Sequence, residues 1–137
     1  GKYVADTAGN LIDLVTLDGG ICYNYSSADA VDSMDGTYHQ LDGRFTAGDF
    51  RGSSKLFIVA NDGAATFTSI DMHDQSSALC RGVSGTQTVT TLALHGGSRW
   101  DEGLFGFTYT NAIQTPDGLE SVTLILGKNI KVVPSAI

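Results

Sequence analysis

Apolar residues come in short runs along this chain, with Gly, Asp, Asn and Ser between them. The pattern is most regular from Gly36 to Ala112. Runs of this kind, bounded by turn-forming residues, predict consecutive strands joined by tight turns. Residues 2–5 and 11–17 read as two strands around a turn at 6–10, and residues 21–25 as a third. Residues 26–35 are small and acidic, carry no periodicity, and read as a loop. The pattern restarts at 37–45, where Asp42 and Gly43 mark a kink. Residues 55–60 are nearly all apolar, as expected of a central strand buried on both sides. Asn61, Asp62 and Gly63 supply the positive φ of a hairpin turn, so 65–72 should return antiparallel. Further strands are expected at 87–94 and 104–110. A polar loop is expected at 96–103, and a closing hairpin from 122–126 and 130–133.

One periodicity competes with this reading. The hexapeptides starting at Phe45, Phe67 and Val89 resemble one another and recur every 22 residues. Such a period suits a parallel β-helix, in which each coil stacks on the next. Both flanks break the period, and the hairpin signal at 61–63 opposes it. The expected fold is therefore all-β: one domain over residues 1–137, an antiparallel β-sandwich of jelly-roll type, with the parallel β-helix as the alternative.

Composition narrows the classes of function. Apolar residues make up 42% of the chain and charged residues 17%, which disfavours disorder. The net charge of −7 repels phosphate backbones and anionic lipids, so nucleic acid is not an expected partner, and no apolar run approaches the ~20 residues that membrane insertion needs. Abundant Thr, Ser, Gly and Asn with little Lys point to an extracellular setting: secreted, cell-surface or virion. Cys22 and Cys80 could pair in an oxidising compartment, or lie as two small apolar thiols in a β core.

The segment from about 33 to 112 resembles the NPCBM-like modules, named for a novel putative carbohydrate-binding module. The resemblance rests on Met34-Asp35-Gly36-Thr37-Tyr38, then Leu41-Asp42-Gly43-Arg44-Phe45. It continues through an apolar strand ending in Asn61-Asp62-Gly63, then Val83-Ser84-Gly85, Leu92-Ala93-Leu94 and Phe107 to Ala112. It implies a galactose-binding-like jelly roll that is non-catalytic and binds glycans or other surfaces.

Candidate chemistry concentrates at 94–102, which holds the single Trp. Sugar recognition needs a flat apolar face and planar hydrogen-bonding groups. Trp100 could supply the first, and Arg99, Asp101 and Glu102 the second, with His95 beside them. The competing possibility is that Trp100 caps the core while the charges solvate a loop. His73 and His95 occupy equivalent places after their strands, where a metal or pH-sensing role is conceivable. Asp49 and Asp71 recur at the 22-residue offset and would be neighbours in a β-helix, as a glycosidase carboxylate pair requires. No nucleophile elbow or phosphate-binding loop is present, and no catalytic residue is assigned. No cofactor is required. A structural Ca2+ suits the acidic loops, with candidate oxygens at Asn10, Asp13, Asp18, Asp29, Asp32, Asp35, Asp62, Asp74 and Asp117.

These features predict a non-catalytic extracellular module whose partner is a glycan or cell-surface polysaccharide. The alternative is a structural subunit of a virion, tail fibre or filament, its terminal strands adding to further copies of the chain.

Overall fold

The computed structural model describes residues 2–5, 11–59, 65–81, 87–103, 107–127 and 135–136. Strands alternate between two sheets. The first contains β1 (Lys2–Ala5), β3 (Ile21–Asn24), β5 (Thr37–Gln40), β7 (Lys55–Ile58), β9 (Ser77–Cys80), β11 (Arg99–Asp101) and β14 (Thr123–Ile125), hydrogen-bonded in that order. The second runs from β2 (Leu11–Asp18) through β4 (Ser27–Met34), β6 (Phe45–Arg51), β8 (Ala65–Met72) and β10 (Gln87–Leu94) to β13 (Ile113–Gln114) and β15 (Ser135–Ala136). The short β12 (Thr108–Tyr109) also pairs with β10. Every described pairing is parallel. The chain is a parallel β-solenoid in which each coil gives one strand to each sheet.

The antiparallel jelly roll is therefore not the fold, and the hairpin expected around residues 61–63 is not formed. β7 and β8, which flank the turn-like residues 61–63, belong to different sheets. β14 pairs with β11 in parallel. The turn residues 61–63 and the last strand expected at 130–133 lie outside the described residues. The 22-residue period is the coil. Paired residues step by 22 from Lys55 to Ser77 and from Ser77 to Arg99. Earlier coils are shorter, since Ile21 pairs with Thr37 and Thr37 with Lys55. The length varies mainly in the passage from the first sheet to the second. That passage is residues 25–26 in one coil and 59–64 in another, which hides the repeat outside its three regular copies.

Inward residues stack in columns. In the first sheet these are Cys22, Tyr38, Leu56, Ala78 and Trp100 in one column, and Asn24, Gln40, Ile58, Cys80 and Glu102 in the next. In the second sheet alternation breaks once per coil. Phe45 and Gly48 are both buried with Thr46 and Ala47 outside, and Phe67 and Ile70 repeat this around Thr68 and Ser69. Two successive outward residues bend the sheet around the core. The same step in β4, with Asp29 and Ala30 outward, explains why residues 27–34 form a strand instead of the expected loop. The inward position 48 takes glycine because a Cβ there would come within 2.5 Å of Phe45 and 2.7 Å of Phe50.

The turns leading back to the first sheet are stapled from coil to coil. Asp35 Oδ1 accepts from the Ser53 N–H (2.9 Å), Asp74 Oδ2 from the Gly52 N–H (2.8 Å), and Asp117 Oδ2 from the Gly96 N–H (2.8 Å). Asp35 and Asp74 have φ near +60°, which aspartate tolerates better than most residues. Cys22 and Cys80 are both buried free thiols, three coils apart. At about 4.8 Å per coil they cannot reach disulfide distance. Burial pushes the Cys22 thiol up to about 11 and the Cys80 thiol higher still.

Candidate functional site

The stretch 94–102 does not form a single surface. β11 runs through it, so its side chains alternate. Trp100 and Glu102 point inward and are fully buried, while Arg99 and Asp101 sit on the outer face of the first sheet, 3.3 Å apart. His95 lies on the second sheet's side of the turn. The proposed sugar platform is thus dispersed, and Trp100 has no face free for a ring. Its indole N–H donates to the Tyr109 hydroxyl (2.8 Å), which in turn donates to Glu102. Glu102 also accepts from the backbone N–H groups of Phe107 (3.2 Å) and Gly127 (2.7 Å). Three donors satisfy this buried carboxylate, and together they tie the last regular coils. Burial, then the Glu102 contact, raises the Tyr109 phenol well above its ordinary range.

The outer face of the first sheet carries a ladder of rings. Tyr23, His39 and Phe57 are in register. Tyr23 and His39 stack with centroids 4.6 Å apart, and His39 and Phe57 at 4.8 Å. Stacking along the solenoid axis covers the ring faces and turns their edges outward, which is the wrong presentation for a sugar ring. Burial is the main cause of a lowered His39 pKa, with Arg81 adding to it and a backbone hydrogen bond at Cys22 opposing.

The outer face of the second sheet is different in kind. The register aligns Asp32, Asp49 and Asp71 on three successive coils. Two residues further along each strand stand Met34, Arg51 and His73, and His95 follows on the next coil. Each cationic or imidazole group reaches back to a carboxylate of the coil before it. Arg51 Nη2 lies 2.7 Å from Asp32, His73 Nε2 lies 3.0 Å from Asp49, and His95 Nε2 lies 3.8 Å from Asp71. The bond to Asp32, followed by the charges of Asp32 and Asp49, holds the Arg51 guanidinium more firmly protonated. His73 and His95 stack at 4.0 Å with planes 15° apart. Beside the carboxylates runs a floor of small residues, Ala30, Ala47 and Ser69, also in register. Floor and carboxylates bound a shallow groove of about 500 Å3. It runs along the solenoid axis, so successive coils present the same group about every 4.8 Å.

Two parts of this site were visible in the sequence separately: the shared offset of Asp49 and Asp71, and the equivalence of His73 and His95. The parallel register joins them. Asp32 and Ala30 lay in the segment read as a loop. Of the Ca2+ candidates, Asp35, Asp74 and Asp117 serve as acceptors for backbone N–H groups, and Asp32 is paired with Arg51. Asn10 and Asp62 lie outside the described residues.

No family model matches the chain, and no curated protein or solved structure matches it either.

Proposed function

We propose that the chain is a non-catalytic extracellular binding module that lays an extended, uncharged glycan along the outer groove of the second sheet. The observation that carries this reading is the in-register row Asp32, Asp49 and Asp71 beside a floor of small side chains. Carboxylate oxygens accept hydrogen bonds from sugar hydroxyls. A pyranose is about as long as the coil spacing of about 4.8 Å, so a linear polysaccharide meets the same acceptor on three successive coils. The net charge of −7 selects against uronate-rich or sulfated chains. Arg51, His73 and His95 hold the carboxylates in place, and this favours binding over acid–base chemistry.

The test is a panel of immobilised neutral and anionic polysaccharides, probed with wild type and the Asp49→Ala/Asp71→Ala double variant. Binding to neutral chains that the double variant loses would support the proposal. Binding that survives would move the site. Release of reducing ends would make the module an enzyme instead.

A second reading, a structural subunit of an extracellular assembly, is favoured by one observation. Among the described residues β2 ends its sheet, and it presents Leu11 and Leu14 about half exposed. An open strand edge is a template for strand addition. A chain that sediments as an oligomer and disperses on removal of residues 1–17 would favour that reading.

A further inference from the structure

We infer that Asp71, His73 and His95 form a binding site for a divalent transition-metal ion such as Zn2+. Their ligand atoms all lie within 4.8 Å of one another, and they are the only such group of three or more among the described residues. The fold makes the site directly. Asp71 and His73 stand two apart on one side of β8 and its turn, and His95 stacks on His73 from the next coil. All three side chains are part exposed, at 41%, 31% and 29%, so an ion can reach them from solvent. Zn2+ binds nitrogen and carboxylate oxygen at about 2.0–2.2 Å. Binding one ion at these distances requires the ligand atoms, now within 4.8 Å of one another, to draw closer by side-chain rotation.

A second observation points to a cation. Asp49 Oδ1 is enclosed and makes no well-formed hydrogen bond, although His73 Nε2 lies 3.0 Å away. It is placed to orient His73 from behind, as carboxylates commonly orient metal-bound histidines. Two imidazoles and a carboxylate are borderline ligands that suit Zn2+, Ni2+, Co2+ or Cu2+. They do not suit Ca2+, which takes six to eight oxygens. The ion type thus differs from the Ca2+ that the acidic loops suggested. The inference stands apart from the glycan reading, because its test contains no glycan.

The test is titration calorimetry of the whole chain with ZnCl2, on wild type, His95→Ala, Asp71→Asn and His39→Phe. Circular dichroism and thermal melts confirm that each variant is folded. Co2+ absorption in the visible range reports ligand geometry independently. One Zn2+ should bind per wild-type chain. His95→Ala and Asp71→Asn should each weaken binding by about tenfold or more, while His39→Phe, which removes the only other histidine, should leave it unchanged. The Co2+ bands should appear in wild type and vanish in His95→Ala, and Ca2+ at equal concentration should not displace Zn2+. Absence of saturable Zn2+ binding to wild type would overturn the inference. So would wild-type affinity in His95→Ala, loss of binding in His39→Phe, or displacement by Ca2+.

Discussion

Two carboxylate clusters in this molecule follow opposite rules. Glu102 is fully buried and accepts from Tyr109, Phe107 and Gly127. Asp49 and Asp71 stand on an outer face, part exposed and held by side chains from the neighbouring coil. The first arrangement spends its bonding capacity inside the fold. The second keeps capacity for something outside it. In a solenoid both come from the same device, the stacking of equivalent positions on successive coils. The direction in which a column points decides whether its chemistry is structural or available.

The sharpest way to break this contrast is to truncate the buried cluster. Trp100→Ala should cost about 3–5 kcal/mol, by loss of a buried ring and the cavity left behind. Chemical denaturation reads this as a lowered midpoint. Equal stability to wild type would mean that the ring is not where the fold places it. Glu102→Gln keeps the shape but sets an amide N–H2 among donors. It should cost about 1–3 kcal/mol, and a neutral result would show that the cluster is less buried than described.

Substitutions on the outer face should do the reverse. Asp49→Ala should stay within about 0.5 kcal/mol of wild type in the same denaturation experiment, while losing binding to neutral polysaccharide. A loss as large as that of Trp100→Ala would erase the distinction between the two clusters.

A smaller effect separates the histidines of the two faces. His39 is stacked between Tyr23 and Phe57, and burial lowers its pKa. The unfolded chain therefore takes up a proton at this side chain, near pH 6.5, before the native state does. The stabilisation is whole above about pH 6.5 and is lost as pH falls from there through the lower folded value. His39→Phe should flatten the fall in melting temperature on acidification across that window. An unchanged slope would remove His39 from the account.

The strands themselves were largely legible, because Val, Ile, Phe and Leu mark β2, β7, β8 and β10. Their direction was not. Asn61, Asp62 and Gly63 have the chemistry of a hairpin turn, and nothing local distinguishes a hairpin from a coil passing between sheets. The 22-residue recurrence from Phe45 to Val89 held the answer, but only where passages of equal length follow one another. β4 was missed because its inward residues include Ala28 and Ser33, and because the bend at Asp29 and Ala30 breaks alternation. Gly96, Gly97 and Gly103 disguised the three-residue strand that carries Trp100 inward. Asp49, Asp71, His73 and His95 had each been noted as repeating. Their meeting depended on the parallel register, which the hairpin reading excluded.

The decisive measurement is affinity for a neutral polysaccharide, compared between two surface variants. Asp49→Ala/Asp71→Ala alters the groove of the second sheet, and Arg99→Ala/Asp101→Ala alters the outer face of the first. If the groove is the contact face, the first variant loses binding and the second keeps it. Binding lost by the second and kept by the first would contradict the account, and would return the site to the stretch around Trp100.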